Sequence, residues 1–367
     1  FSKNGAFLRS WYQFPKNHHM LEFAIEQFNC RKNNYIYVTH EHEDHFDVKT
    51  LKSLSTYCKN LLIPNYKNKT LYNACKELGF DKLRTLNEEE CIELSDLKIN
   101  IFIQETAINT DSAILVESDK DFKFLNLNDC KIHDRIDYIS KKYGKIEVLT
   151  QQFSGASMHP VTYDYGSNEY KNISKKKRRN KMQGVVNVIK KIKPKIFIPS
   201  AGPPVFLREQ LFKFNFEKES TFPMFWDFKK FFSKKVNECK FIPLGVQGYV
   251  DLEAGKICNQ MKELTFDEYK KTIIDYSKDF IEYEPALCKE DISLKLFKYL
   301  EKKVEVLQDF NNLLCDKNDI YQIYFTSNHE KYISVNIKNK EIKFTNKIVD
   351  SSFYCHTYED FFINFVL

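Results

Sequence analysis

The chain has 367 residues, 43% of them hydrophobic and 29% charged, enough for about two domains with their own cores. Its 56 basic and 50 acidic residues leave a net charge of +6, too mild to point to nucleic acid as a partner. No apolar stretch reaches the roughly 18–20 residues of a membrane-spanning helix, and no secretory leader is legible from Phe1 onward.

"NNYIYVTH" (33–40) alternates β-forming residues and predicts a strand that ends on a polar cluster. "DVKTLKSLSTY" (47–57) then spaces Val48, Leu51 and Leu54 at helical intervals, with Asp47 as the N-cap. "NLLIPNY" predicts a short buried strand, and "KTLYNACKELGF" a helix stopped by Gly79. "LKINIFIQE" (97–105), "SAILVES" (112–118) and "DFKFLNLND" (121–129) predict three strands, the last ending on Asp129. "KIEVLTQQF" (145–153) and "KPKIFIPSAGP" (193–203) predict two more, with a basic helix over 174–192 between them. Several strands thus deliver polar residues at their C-terminal ends, the pattern of a layered α/β sheet with a site along one edge.

Beyond 255 the texture changes. "TFDEYKKTIIDYSKDFIEYE" and "SLKLFKYLEKKVEVLQDFNNLL" predict amphipathic helices, followed by an antiparallel meander from "DIYQIYFTSN", "KYISVNIKN" and "KEIKFTNK". Two domains are expected, 1–255 and a smaller α+β domain over 256–367.

The polar cluster is "THEHEDH", in which His40, His42, Asp44 and His45 form H-x-H-x-D-H. In an extended segment residues i and i+2 point the same way, so His40 and His42 can grip one ion. Asp44 and His45 then bend round toward a second. Imidazole plus carboxylate suits zinc or iron rather than magnesium or calcium. A solvated polar loop is the plain alternative, but it has no use for three of the chain's nine histidines.

H-x-H-x-D-H between a strand and a helix resembles the signature of the metallo-β-lactamase fold superfamily. The resemblance extends to "FLNLNDC" (124–130), where these proteins place a metal-bridging aspartate, here Asp129. It also includes "GAFLRSW" (5–11), "DSAILVES", "QQFSGASMHP" (151–160) and "IPSAGPPVFL" (198–207). Over about 1–255 these pieces look like the lactamase-fold part of CMP-N-acetylneuraminate hydroxylases and their bacterial relatives. More distantly they are similar to ascorbate-6-phosphate lactonases and N-acyl-phosphatidylethanolamine phospholipase D. The resemblance implies an αββα sandwich with its metal site on the sheet edges.

Two departures from that pattern bear on the metal count. Where a further histidine is expected, "IQETAINTDS" offers only Gln104 or Glu105, and Ser200-Ala201-Gly202 stands where a final histidine is usual. The expected ligands are therefore His40, His42, Asp44, His45 and Asp129, for one ion, or for two if Glu105 or His159 completes the set. A Rieske cluster needs a Cys-x-His and a Cys-x-x-His pair. Cys130 and His133 have the second spacing, and the first is missing from this chain.

The loop "QQFSGASMHPVTYDY" brings His159 and Tyr163 just past a strand, His159 as ligand or general acid/base and Tyr163 as pocket wall. Arg9, Trp11 and Ser200 are further candidates for the pocket mouth. In "SKKKRRNKM" (174–182), Lys177, Arg178 and Arg179 are either a clamp for an anionic substrate or a solvated helix face. Ten cysteines without a C-x-x-C pair fit reduced thiols in the cytoplasm.

The leading expectation is a metal-dependent hydrolase of a small anionic substrate, phosphate-bearing or sugar-nucleotide-like. His40, His42 and Asp129 would hold the ion, and Asp44 would orient or deprotonate the attacking water, with His45 beside it. The alternatives are an iron-dependent oxygenase and a non-catalytic binding module with a degenerate site. The sequence leaves the oligomeric state open.

Overall fold

The structure, a computed structural model, describes residues 5–280 apart from Leu8, Lys32, 107–108, Ala156, Met158 and 162–165. It then describes 298, 301, 320–325, 332–336, 341–345 and 353–357. Two compact units result, Phe1–Phe280 and Ile281–Leu367.

The first unit opens with α1 (Met20–Asn29). There follow β1 (Tyr35–Tyr37), α2 (Val48–Ser55), β2 (Asn60–Pro64), α3 (Thr70–Lys76) and β3 (Lys82–Leu86). The three strands form a parallel sheet in the order β1-β2-β3.

A second sheet begins with an antiparallel run of β4 (Cys91–Leu94), β5 (Leu97–Glu105), β6 (Thr110–Ser118) and β7 (Lys123–Asn126). The chain continues through α4 (Ile136–Tyr143), β8 (Val148–Gln152), α5 (Ser167–Ile192) and β9 (Ile196–Ser200). The short α6 (Glu209–Phe212) and α7 (Phe225–Ser233) lead to β10 (Lys240–Phe241). β7 to β10 pair in parallel, completing the order β10-β9-β8-β7-β6-β5-β4.

The alternation of side chains along the strands sets the layers. In β5 and β6, Ile99, Ile101 and Ile114 pack with Leu62 of β2 and Leu86 of β3, so the two sheets face each other. Their neighbours Phe102, Ala113 and Leu115 point the other way, onto Ile136 of α4, Val185 of α5 and Phe228 of α7. With a period of two, each strand serves both faces. On the far side of the small sheet, Leu61 and Ile63 pack with Leu51 of α2 and Leu71 of α3. The order is helix, sheet, sheet, helix, the expected αββα sandwich. Fully buried Phe102 and Phe197 show the scale of the driving force, about 1.5–3 kcal/mol for each such side chain.

The hairpin β11 (Leu244–Asp251) and β12 (Lys256–Gln260) and the helix α8 (Phe266–Ser277) follow. Thr265 and Glu268 close a capping box at the start of α8. Its Tyr269 and Ile273 pack with Tyr12, Val205 and Leu207. That shared core moves the boundary from the expected 255 to 280, because α8 buries its apolar face in the first unit.

In the second unit β13 (Ile320–Phe325), β14 (Tyr332–Asn336) and β15 (Glu341–Thr345) form the predicted antiparallel meander. β16 (Phe353–Thr357) adds to β13 in parallel, giving β15-β14-β13-β16. The helix predicted from "SLKLFKYLEKKVEVLQDFNNLL" lies outside the described residues except at 298 and 301.

Candidate metal centre

The histidine loop is anchored before it begins. Val38 donates its amide to Leu62, continuing the β1–β2 ladder, and the Thr39 carbonyl accepts from Tyr66 Oη at 2.5 Å and Ser112 Oγ at 3.1 Å. The loop then tightens, with the amides of His45 and Phe46 both donating to the His42 carbonyl. Phe46 sinks into the core under the small sheet, and Asp47 caps α2 by accepting from the Thr50 amide at 2.8 Å. A strand end, a buried phenylalanine and a helix cap thus hold the six polar residues from His40 to His45 in place.

Asp129 arrives from the other sheet. Past β7, Asn128 adopts a left-handed conformation (φ 49°), which asparagine tolerates better than most residues. Its amide reaches Thr39 Oγ1 at 2.9 Å and lies 3.4 Å from His45 Nδ1, tying the two sheet edges together.

One donor atom from each of His40, His45 and Asp129 lies within 4.8 Å of the others. His40 Nε2 and His42 Nδ1 are 2.9 Å apart. Two nitrogens each about 2.0–2.1 Å from an ion lie about 2.9 Å apart at a right angle and about 3.3 Å apart at a tetrahedral one. The spacing suits a shared ion as well as the hydrogen bond that it makes without one. His45 Nε2 sits 3.4 Å from Asp44 Oδ2 and 3.5 Å from Asp129 Oδ2. Asp44 Oδ1 and Asp129 Oδ1 are buried with no hydrogen-bond partner among the described residues. Such oxygens are costly unless a donor or a cation meets them. The donor set fits a transition metal.

Behind the cluster stands a residue absent from the sequence-level set. Asp111, 1% exposed in β6, places Oδ1 3.1 Å from His40 Nδ1. It fixes the imidazole with its proton on Nδ1 and its lone pair on Nε2, the orienting carboxylate that metal-binding histidines commonly have. The visible signal was a carboxylate just before the apolar run of a strand, Ala113 to Val116.

The charges divide the histidines. Burial lowers the pKa of His42, with His40 adding to the effect, so His42 is a neutral imidazole near pH 7. Burial also acts to lower His45, but Asp129 and Asp44 outweigh it and push its pKa up to about 10. Burial acts to raise Asp44, and the His45 contact holds it below the usual carboxylate range. To hold a metal, His45 would have to give up that proton.

His40, His42, Asp44, His45 and Asp129 therefore converge. Glu105 does not join them: its Oε1 accepts from the amides of Lys67 and Asn68 at 2.9 and 3.2 Å, which fastens the loop after β2. His159 is 1% exposed, with Nε2 2.7 Å from Ser174 Oγ of α5 and its ring 4.9 Å from Tyr170. Burial lowers its pKa. It is held against the helix as a packed core histidine. Cys130 is buried and its thiol pKa is raised by burial, so it remains protonated.

Trp11 stands edge-on to Phe7 and Phe222 and lines a cavity of about 640 Å³ that also contains Asp44, His45 and the Ala201–Pro204 turn. Arg9 lies two residues away in a left-handed turn (φ 62°), close enough to influence the Tyr12 hydroxyl. Ser200 ends β9 with a buried hydroxyl. Tyr163 lies outside the described residues. In the basic run Lys177 and Arg179 are exposed. Arg178 pairs with Asp227 of α7 at 2.9 Å.

No family profile matches the chain. A stretch of 219 residues is 29% identical to a Mycobacterium tuberculosis (strain H37Rv) protein provisionally named a Rieske 2Fe-2S iron-sulfur protein. The match takes in 58% of this chain and 41% of that relative, so the chain spans about two fifths of its length. A stretch of 185 residues is 26% identical to the cytidine monophosphate-N-acetylneuraminic acid hydroxylase of Asterias rubens, covering 47% of this chain and 27% of that one. Among solved structures, the metallo-β-lactamase fold protein YhfI of Bacillus subtilis superimposes with a TM-score of 0.38 and 9% identity, over 59% of this chain and 76% of its own. So loose a superposition adds nothing to the layer order. With two sheets face to face between helical layers and an H-x-H-x-D-H loop at their edge, the first unit has the αββα order that a resemblance to the metallo-β-lactamase fold implies, and it is similar in sequence to these two curated proteins.

Proposed function

We propose that the chain is a metal-dependent hydrolase of a small anionic molecule. The observation that carries this reading is the convergence of His40, His45 and Asp129, with His42 against His40 and Asp44 against His45, and with two carboxylate oxygens that have no partner among the described residues, beside the 640 Å³ cavity. His40, His42, His45 and Asp129 would hold one or two ions of zinc or iron, both of which suit this donor set. The chemistry such an ion supplies when bound is a water acidified to a pKa of about 7.

The rest falls to the chain's own residues. Asp44 Oδ1 is a free carboxylate oxygen that can orient a water and take its proton. Asp111 keeps the His40 lone pair on Nε2. Trp11, Tyr12 and Phe14 line the cavity and give a bound molecule an apolar wall beside Asp44 and His45. Every cysteine whose side chain is described is free, in keeping with a reducing, cytoplasmic setting.

A second reading, an iron-dependent oxygenase, is favoured by the match to a protein named as a hydroxylase. Elemental analysis of protein purified without added metal, paired with hydrolysis and oxygen-uptake assays, separates the two. Zinc with hydrolytic turnover supports the proposal, and iron with oxygen consumption overturns it for the oxygenase. A stable, metal-free protein overturns both and leaves a binding module.

A further inference from the structure

A second cavity, of about 210 Å³, is lined by Asp129, Lys131, His133, Gln151 and Lys181. It shares a wall of Asn128, Gln152 and Gly155 with the larger cavity. Asp129 thus belongs both to the metal cluster and to this recess.

Lys181 comes from α5, next to the buried Met182 and one turn before the buried Val185, so packing of the helix brings it inward. Its ammonium donates to the Gly155 carbonyl at 2.5 Å and lies 4.5 Å above the Phe222 ring. An ammonium has three hydrogens to donate. Among the described residues no carboxylate pairs with Lys181. Burial, with Lys177 and Lys131 adding repulsion, lowers its pKa to about 7. A partly buried cation repelled by its neighbours is an expensive arrangement that an anion relieves. Gln151, 4% exposed, places its amide 3.1 Å from His133 Nε2 and leaves Oε1 buried without a partner. With His133 Nε2 protonated the amide turns over and offers an N–H to the recess instead. A motif that reads as a solvated charge run therefore sends one of its lysines to the site.

We propose that this recess is an oxyanion subsite taking a phosphate-class group, held by the ammonium groups of Lys181 and Lys131 and by the Gln151 amide. The Asp129 carboxylate that shares the recess is engaged by His45, which leaves two lysines to match a dianion better than a single carboxylate. The inference rests on the hydrolase reading only in making the bound group part of the substrate; the binding itself does not depend on it.

The test is titration of the metal-stripped full chain with inorganic phosphate, followed by calorimetry and by phosphorus NMR, with acetate as the second arm. One phosphate per chain is expected to bind saturably, and acetate more weakly. Lys181→Met should weaken phosphate by about tenfold or more, a loss of about 1.4 kcal/mol. Lys131→Ala, at the exposed rim, should weaken it several-fold, and Lys190→Ala, at the far end of α5, should leave it unchanged. His40→Ala should lose metal and keep phosphate, so failure of the hydrolase reading leaves a distinct result. Absence of saturable binding by natively folded protein overturns the subsite. So does phosphate binding indifferent to both lysine variants, with Lys131→Ala deciding alone if Lys181→Met does not fold. Acetate binding as tightly as phosphate overturns the phosphate assignment.

Discussion

The loops 40–47 and 153–161 both leave strand ends in the first unit, and both carry histidine, yet they handle it in opposite ways. In the first, His40, His42 and His45 turn ring nitrogens toward one another and toward two aspartates, while the backbone is tied down by Tyr66, Ser112 and the α2 cap. In the second, His159 spends its Nε2 on Ser174 and packs its ring by Tyr170. Histidine supplies a ligand only where its free lone pair faces other donors, and supplies core packing where a hydroxyl takes that nitrogen.

The largest effect that can break this contrast is loss of a donor. His40→Ala or Asp129→Ala should reduce bound metal to background. Metal at about a hundred times its Kd should stabilise the parent chain by about 2.7 kcal/mol and leave these variants unmoved. Metal per chain and melting curves check this, and full occupancy in either variant would remove the basis of the site.

Asp111→Asn is next. It retains shape but loses the carboxylate facing His40 Nδ1, so metal affinity should fall about 10- to 100-fold with the fold intact. Competition against a chromophoric chelator measures it. Undiminished affinity would reduce Asp111 to a structural residue.

His159→Ala sharpens the other side of the comparison. It removes one partner of the buried Ser174 hydroxyl, which also meets Tyr170, and empties a packed site, so it should cost about 1 kcal/mol of stability or more. Metal stoichiometry should stay the same. If metal leaves with His159, the two loops are equivalent after all.

The smallest effects lie in the basic run. Arg178→Ala breaks the pair with Asp227 and should cost about 1 kcal/mol, while Arg179→Ala should stay within about 0.5 kcal/mol. Chemical denaturation distinguishes them. A raised KM for Arg179→Ala would restore that residue to the substrate clamp.

Much of the scaffold is legible because it depends on local periodicity. The nine-residue alternation of 97–105 predicts β5 with the bounds observed, and Asp47 before Val48 marks the start of α2. The strand over 33–40 shortens to Tyr35–Tyr37, since the residues after Val38 bend toward the site. α4 and α7 leave weaker traces, their short apolar stripes acquiring meaning only against β5 to β9. Glu105 has the chemistry of a ligand and the right strand end. It serves instead as an anchor for two amides, a choice made by the loop that folds over it.

By itself the sequence determined which side chains can bind a metal and where strands and helices interrupt one another, because both follow from residue type and spacing within a short window. The tertiary structure decided which ring nitrogen is free. Asp111, Asn128 and Asp129 come from distant strands to meet the His40 loop, and Lys181 is singled out from its basic neighbours by the face of α5 that packs inward. Proton placement and charge depend on distances of a few ångströms across the fold, and such distances exist only once the two sheets have closed on their common core.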